Sequence, residues 1–259
     1  MQTNKKALIR QKEIAEYISL KGAATLSELC KKFSSSEATI RNDLTKLEKD
    51  GLIKRILGGA ISNEDNVRNT VLATRMNRNN AEKKQIAEYI AENIIKPGMT
   101  ITLDSGTSTL YLAKEIAARR IPCTVITNSF QAAQALIKSS DVRICLCGGW
   151  YDPDHGSFHD EMSESVMNTY FSEICFLSPN GIDTNGLITN SGISENSIKM
   201  KMINRSHRVI VLADHSKLNK TELKVLCTSN EIESVITDSS ADSNLITKLQ
   251  QAGFNIIQA

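Results

Sequence analysis

The sequence predicts an α/β protein in which a small, mainly helical unit precedes a larger unit built on a mostly parallel sheet. Helical periodicity fills most of the first 50 residues, and beyond residue 97 short apolar runs alternate with amphipathic segments. A length of 259 residues accommodates one small and one larger domain. We therefore expect domains at residues 1–61 and 81–259, joined by a polar, asparagine-rich linker at residues 62–80.

Charge is distributed unevenly along the chain. Residues 1–60 contain 12 Lys or Arg against 7 Asp or Glu, a net charge of +5, and the remainder contains 19 against 22, a net charge of −3. A basic head on a faintly acidic body is typical of a protein whose head meets a polyanion, although a solvated charged surface fits almost as well.

The cysteines and the first residues of the chain indicate the cellular compartment of the protein. The six cysteines lie mostly in apolar runs and lack paired CxxC spacing, which favours reduced, buried thiols. The chain starts with a charged amphipathic segment rather than an apolar one, and no apolar stretch approaches the length of a membrane span. We expect a cytoplasmic protein with no membrane partner.

Two helices are predicted before residue 34. The first carries apolar side chains at helical spacing: Leu8, Ile9, Ile14, Ile18 and Leu20. Gly22 is a typical stop for this helix. Thr25 and Glu28 then have the spacing of a capping box, which predicts the start of a second, shorter helix.

A third helix is predicted to start after Ser36, with an apolar face formed by Ile40, Leu44 and Leu47. Apolar residues then surround Lys54-Arg55 and lead to Gly58-Gly59, which predicts a basic, two-stranded wing. Three short helices and a wing form a winged helix-turn-helix, whose third helix lies in the major groove of DNA. A small helical bundle for protein contacts is the alternative.

We expect contacts with double-stranded DNA from the third helix and the wing, at Ser36, Thr39, Arg41, Asn42, Lys46, Lys54 and Arg55. Ser36 and Thr39 can donate to a phosphate or a base edge at the start of the helix. Arg41 and Asn42 are the residue types that bind guanine and adenine bidentately. The remaining cations suit phosphates.

Six apolar runs in the larger unit predict strands: MTITLD, CTVIT, VRICLC, EICFLS, HRVIVLAD and ESVITD. Helical patterns lie between several of them, which indicates a mostly parallel sheet covered on both faces. Ligands of such sheets bind at the carboxyl ends of the strands.

Polar residues follow several of these strands. The first strand leads into a helix through Asp104, Ser105, Gly106, Thr107, Ser108 and Thr109. A helix start of this kind favours an anion, although the stretch alone fits an ordinary turn equally well. Further candidates are Asn128, Gly148, Gly149, the hydroxyl acceptor Asp183, and the anion partners Lys199 and Lys217. Several polar strand ends at one edge predict a site for a small phosphorylated polyol, with Asp104 as a second hydroxyl acceptor.

Another segment, WYDPDHGSFHDE, contains the side chains of a conceivable metal site: Asp152, Asp154, His155, His159, Asp160 and Glu161. Gly156 lies between the two histidines, and no helix is predicted there. We therefore expect a solvated loop and no metal.

Two sets of motifs resemble those of one protein family. The stretch LSELCKKF…SEATIRNDLTKLEKDGLIKRILGGA resembles the amino-terminal signature of the DeoR family of bacterial sugar-metabolism regulators. LDSGTSTLYLAKEI, TVITNS, CGG, NGID and VLADHSK match the sensor domain of that family in order. The family pattern has arginine at the position of Asn42, histidine at Leu57 and glycine at Asp160.

The resemblance implies a sensor domain similar to ribose-5-phosphate isomerase and glucosamine-6-phosphate deaminase, whose strand-to-helix loops hold the sugar phosphate. It implies a repressor of a carbohydrate-utilisation operon whose effector is a phosphorylated sugar or sugar alcohol. Because winged helix-turn-helix units usually bind paired half-sites, we expect a homo-oligomer, either a dimer or a tetramer. We expect no cofactor and no catalytic residue.

Two other functions remain open at this point. A sugar-phosphate isomerase or deaminase would use Asp104, Asp183 and His215 as acid–base groups. A nucleoid-type DNA-binding protein would have no ligand.

Overall fold

The computed structural model describes residues 2–21, 23–56, 58–62, 72, 75–76, 78–192 and 195–259; within these ranges, side chains are not described at 2–6, 19–20 and 62. The chain divides into two units, Met1–Arg75 and Met76–Ala259. Most of the predicted linker at 62–80, and Leu57 of the wing, lie outside the described residues, so the predicted domain boundaries stay predictions. Among the described helices, none combines the length and the apolar character needed to cross a bilayer.

The described part of the amino-terminal unit contains helices and a small sheet. Its helices are α1 (Gln2–Lys21), α2 (Leu26–Lys32) and α3 (Glu37–Lys49), and its strands are β1 (Ala23–Thr25), β2 (Ile53–Ile56) and β3 (Gly59–Ser62). β2 and β3 form the predicted antiparallel wing, and β1 pairs with the other side of β3. Gly59 allows this pairing, because a Cβ there would lie 2.2 Å from the carbonyl oxygen of Ala24.

The predicted start and buried face of α3 are confirmed. The side chain of Ser36 caps the helix, since its Oγ accepts a hydrogen bond from the backbone N–H of Thr39 at 3.3 Å. Ile40, Leu44 and Leu47 are buried in the core of this unit.

The apolar stripe predicted for α1 is only partly correct. Ile14 and Ile18 are fully buried, but Leu8 and Ile9 are 60% and 52% exposed. The first turns of α1 extend past the small core that Ile14 and Ile18 help to form, so helical spacing there does not produce burial.

The larger unit contains the predicted parallel sheet. Its main helices are α4 (Asn80–Asn93), α5 (Thr107–Ala118), α6 (Phe130–Leu136), α7 (Glu161–Thr169), α8 (Glu195–Asn204) and α9 (Ser243–Gln251). Its strands are β4 (Thr100–Leu103), β5 (Cys123–Thr127), β6 (Val142–Leu146), β7 (Tyr151–Asp152), β8 (Ser157–Phe158), β9 (Ser172–Leu177), β10 (Gly181–Ile182), β11 (Leu187–Asn190), β12 (Ser206–Leu212), β13 (Lys224–Thr228), β14 (Ser234–Thr237) and β15 (Ile256–Gln258).

Seven of these strands form the central sheet in the order β15-β14-β12-β9-β4-β5-β6, and every neighbouring pair is parallel. Both faces of the sheet are buried, as the apolar runs predict. In β9, Ile174 and Phe176 join one core cluster, whereas Cys175 and Leu177 join the other. A small antiparallel sheet, β10-β11-β13, and the hairpin β7–β8 are additions that the sequence does not predict.

The strand order reverses direction between β4 and β9. From β4 the chain proceeds outward through β5 and β6, and it then returns to β9 on the other side of β4 before continuing through β12, β14 and β15. In open α/β sheets, ligands bind outside the carboxyl ends of the strands at such a switch point. The loops after β4 and β9 are therefore the place where this fold favours a ligand.

Candidate nucleic-acid interface and ligand site

The side of α3 opposite its apolar face is polar and exposed. The predicted DNA-binding residues on it are Ser36, Arg41, Asn42 and Lys46, which are exposed, and Thr39, which is half-buried. Lys54 and Arg55 are exposed on β2. Arg55 also connects the wing to α3, because its Nη1 donates to Thr45 Oγ1 at 2.8 Å and its backbone N–H donates to Glu48 Oε1 at 2.8 Å.

Arg41 already has a partner on its own helix. Its Nη2 donates to Glu37 Oε1 at 2.6 Å, and the two side chains are 55% and 62% exposed. Exposed i,i+4 pairs contribute at most about 0.5 kcal/mol, so Arg41 can exchange Glu37 for a base edge at little cost.

Asp43 has a structural role in α3 and is not among the residues predicted from the sequence. It lies on the buried face of α3, where its carboxylate accepts hydrogen bonds from Arg10 Nε at 2.6 Å and Gln11 Nε2 at 2.7 Å. Asp43 lies three residues after Ile40, so helical spacing places it within the apolar face. This spacing is the signal in the sequence that its carboxylate is buried. Asp43 thereby fixes α3 against α1.

In the larger unit, Asp104 is the centre of the network at the switch point. Its Oδ1 accepts from Gly106 N at 2.9 Å and Thr109 Oγ1 at 2.8 Å. Its Oδ2 accepts from Ser178 N at 2.9 Å and lies 3.1 Å from Lys199 Nζ. Asp104 is fully buried, and its four donors join the loops after β4 and β9; its role as an acceptor for a ligand hydroxyl stays a prediction.

The rest of the loop after β4 combines close packing with one available hydroxyl. Gly106 packs so tightly that a Cβ would lie 2.2 Å from Ser178 Cβ. Ser105 Oγ donates to Glu195 Oε1 at 3.0 Å, and Thr107 is buried at the start of α5. Ser108 Oγ is buried with no hydrogen-bond partner among the described residues, and it therefore suits a ligand oxygen at this helix start.

Lysine side chains concentrate at the same edge of the sheet. Lys217 Nζ donates to Ser178 Oγ at 3.1 Å and to Pro179 O at 2.8 Å, directly after β9. Burial lowers the pKa of Lys217 to about 8, although the nearby Asp214 carboxylate acts in the opposite direction. A lysine with a pKa lowered in this way, at a switch point, is typical of a functional site.

Lys83 adds a third positive charge near Lys217. It is buried on α4, and its charge, with that of Lys199, also lowers the pKa of Lys217. Lys83 is not among the residues predicted from the sequence, although its helical spacing with the buried Ile86, Ala87 and Ile90 indicates a buried position.

Asn128 and Asp183, two further residues predicted for the ligand site, differ in whether a side-chain oxygen lacks a hydrogen-bond partner. Asn128 is buried and donates through Nδ2 to Phe158 O at 2.8 Å, but its Oδ1 has no partner among the described residues. Asp183 instead closes the turn between β10 and β11, where Oδ1 accepts from Asn185 N and Leu187 N, both at 2.9 Å. Its role as an acceptor for ligand hydroxyls, like that of Asp104, stays a prediction.

Asp160 occupies a position where the family pattern has glycine. Its carboxylate accepts hydrogen bonds from nearby residues. Its Oδ1 accepts from Ser163 N at 2.9 Å and caps α7, and its Oδ2 accepts from Trp150 N at 2.6 Å. These backbone hydrogen bonds lower the pKa of Asp160. Gly149, at a φ of +139°, makes room for the carboxylate, because a Cβ there would lie 2.2 Å from Asp160 Oδ1. The neighbouring Gly148 carbonyl accepts from Ser163 Oγ at 2.7 Å.

We expect Asp160→Ala to lower the free energy of unfolding by about 1 kcal/mol, because the first turn of α7 loses its cap. Chemical denaturation of the full chain measures this loss. Asp160→Asn retains one side-chain acceptor for the cap and should lose less stability. Equal losses in the two variants would contradict the assigned capping role.

The segment expected to be a solvated loop is the hairpin β7–β8. Gly156 forms its turn at a φ of +67°, a conformation that glycine adopts readily. The hairpin brings Asp152, His155 and His159 into contact, with side chains that are only 26%, 23% and 14% exposed.

Comparison with known proteins identifies two family models along the chain. A model described as a DeoR-like helix-turn-helix domain matches residues 10–66, and one described as the DeoR C terminal sensor domain matches residues 78–239. The "L-fucose operon activator" of Haemophilus influenzae is 34% identical over 91% of this chain and 94% of its own length. The "Putative aga operon transcriptional repressor" of Escherichia coli O157:H7 is 28% identical over 96% and 92%.

Solved structures show lower similarity. The chain is 18% identical to ribose 5-phosphate isomerase A of Methanocaldococcus jannaschii, with a TM-score of 0.40 over 54% of this chain and 55% of the isomerase. It is 15% identical to eIF2B delta of Chaetomium thermophilum, with a TM-score of 0.45 over 66% and 60%. The chain thus spans little more than half of each of these proteins.

Proposed function

Because the chain belongs to the DeoR family of transcriptional regulators, as its motifs predict, we propose that it represses a carbohydrate-utilisation operon in the cytoplasm and that a phosphorylated sugar or sugar alcohol controls its affinity for DNA. For the effector to act, it binds the DNA-competent and DNA-incompetent arrangements with different affinities.

The amino-terminal unit supports the DNA-binding half of this proposal. Its third helix is held by apolar residues on one side and exposes Arg41, Asn42 and Lys46 on the other, beside the basic strand β2. In this proposal Arg41 and Asn42 contact base edges, whereas Lys46, Lys54 and Arg55 contact phosphates. A homo-oligomer presents two such heads to paired half-sites.

The observation that carries the effector half is Lys217 at the switch point between β4 and β9. Its ammonium group lies beside Ser178, whose backbone is bound by Asp104 of the neighbouring loop. In this proposal the phosphate binds Lys217 and the start of α5, where the Ser108 hydroxyl is available. Asn128 Oδ1 accepts from a sugar hydroxyl.

The candidate acid–base side chains at this edge of the sheet already have partners in the structure, which favours a regulator over an enzyme. Acid–base catalysis requires groups that exchange protons with the substrate. The carboxylate of Asp104 already accepts from four donors, Asp183 closes its own turn, and His215 Nδ1 is 3.0 Å from Asp238 Oδ1. We therefore expect no turnover of ribose-5-phosphate or glucosamine-6-phosphate; turnover that is abolished in Asp183→Asn would support the enzyme instead.

A thermal-shift screen of phosphorylated sugars and alditols tests the effector directly. We expect one phosphorylated compound to raise the melting temperature and to change the affinity for operator DNA, because a ligand of the native state stabilises it. The unphosphorylated form of the same compound is the control. A panel without any such compound would contradict the effector half and leave the nucleoid-type DNA-binding protein as the interpretation.

We expect Lys217→Met to weaken binding of that phosphorylated compound by about 10- to 150-fold, since hydrogen bonds to charged groups contribute about 1.5–3 kcal/mol. The wild-type affinity should also fall as the pH rises through about 8, where Lys217 loses its proton, and this fall should be absent in the variant. Isothermal titration between pH 7 and pH 9 measures both effects. Lys220→Met, at an exposed lysine three residues away, is the matched control. Equal binding by the two variants would contradict the role of Lys217.

A further inference from the structure

The hairpin β7–β8 gathers a carboxylate and two imidazoles at one point. Asp152 Oδ2 lies 2.9 Å from His155 Nδ1 and 3.3 Å from His159 Nε2. The ligand atoms of the three side chains all lie within 4.8 Å of one another. The cluster adjoins the predicted ligand site, because Glu195, which lies 3.9 Å from His155 Nε2, also accepts a hydrogen bond from Ser105 Oγ.

One of these separations already fits two side chains that share a metal ion. Protein ligands of zinc lie about 2.0–2.2 Å from a tetrahedral ion, so two ligand atoms are about 3.3–3.6 Å apart. The 3.3 Å between Asp152 and His159 falls in that range, whereas the 2.9 Å between Asp152 and His155 is a hydrogen-bond length that lengthens by about 0.4 Å when an ion enters. The metal-free alternative is a network of hydrogen bonds from the two imidazoles to Asp152. The two alternatives differ in whether the chain binds a metal ion.

Asp154 and Glu195 act on the cluster in different ways. Asp154 N donates to Asp152 Oδ1 at 2.7 Å, which turns Oδ2 toward the two imidazoles. The other ring nitrogen of His155, Nε2, faces Glu195 Oε2 at 3.9 Å. This distance is longer than a hydrogen bond, so Glu195 adds negative charge behind His155 without fixing the orientation of its ring.

The backbone holds the hairpin in place before any ion binds. Gly156 N donates to Asp152 O at 2.8 Å across the turn, and Phe158 N donates to Asn128 O at 3.0 Å, which attaches the second strand to the loop after β5. The ligand side chains are partly buried but not enclosed, so an ion has a path to them.

We propose that Asp152, His155 and His159 bind one divalent transition-metal ion, for which zinc is the best match. Two imidazoles and one carboxylate are a ligand set that zinc accepts, and three protein ligands leave a position for a water molecule or an added ligand. This proposal reverses the expectation of no metal, which rested on the sequence alone. It does not depend on the proposed effector.

The test is titration of the chelator-treated full chain with zinc, and separately with cobalt as a spectroscopic probe. We expect one ion per chain. Asp152→Asn and His159→Gln should each weaken binding by at least about tenfold, because each removes a ligand. His207→Gln, at an exposed histidine on β12, is the matched control and should bind like the wild type.

Histidine NMR signals of the wild type give a readout that needs no substitution. Zinc should shift the ring signals of two of the four histidines and leave that of His207, assigned with His207→Gln, in place. A cobalt complex with a thiolate charge-transfer band would indicate cysteine ligands and overturn the proposal. Absence of binding at millimolar zinc, or unchanged affinity in folded Asp152→Asn and His159→Gln, would overturn it as well.

Discussion

Replacing Asp104 with alanine is expected to lower the free energy of unfolding by about 3–5 kcal/mol, the loss typical of removing one partner from a buried ion pair. Asp104 is fully buried and accepts from donors on two loops and from Lys199. Without it, the Lys199 ammonium group stays buried and loses this carboxylate. The loops after β4 and β9 lose the group that joins them.

Urea unfolding of the full chain, followed by circular dichroism, measures this loss. Asp141→Ala is the matched control, because the carboxylate of Asp141 pairs with Arg120 on the surface at 3.1 Å. Such exposed pairs contribute at most about 1 kcal/mol. A loss in Asp104→Ala no larger than that of the control would show that the carboxylate does not hold the switch point together.

Arg41→Ala is expected to weaken binding to the operator by about 1–3 kcal/mol, the contribution of one good bidentate contact with a base. The physical reason is the position of the side chain on the exposed side of α3, where a weak surface pair with Glu37 is its main competitor. Fluorescence anisotropy on an operator obtained by selection in vitro measures the change, with random DNA of equal length for comparison.

Glu37→Gln is the control for Arg41, because it removes the competing carboxylate and keeps the shape of the side chain. We expect it to bind the operator at least as tightly as the wild type. An equal loss of affinity for operator and random DNA in Arg41→Ala, together with a salt dependence lowered by about one ion, would assign Arg41 to a phosphate instead.

The sequence predicts the elements whose patterns repeat over several turns or strands. The spacing of Ile40, Leu44 and Leu47 gives the buried face of α3, and six apolar runs give six of the seven strands of the central sheet. β1 and β15 contain three residues each, too few for an alternation to appear. Leu8 and Ile9 show the limit of periodicity, since spacing identifies a face but not the extent of the core that covers it.

Within the site, the sequence predicts where polar groups gather but not which partners they choose. Asp104 and Asp183 lie at strand ends as expected, yet backbone N–H groups of nearby loops occupy their oxygens. Those partners depend on how loops fold back on one another, and a linear pattern contains no such information. The same holds for Asp152 and His159, which only the hairpin brings together.

Because of Asp43, mutation can change the exposed side of α3 without changing the attachment of the helix to α1. The Asp43 carboxylate fastens the buried face of the helix to Arg10 and Gln11 of α1, whereas Arg41 and Asn42 are exposed. Arg41 and Asn42 can therefore be substituted one at a time while α3 stays attached to α1. In the proposed interface, single substitutions of Arg41 or Asn42 are expected to change operator preference at little cost in the free energy of unfolding.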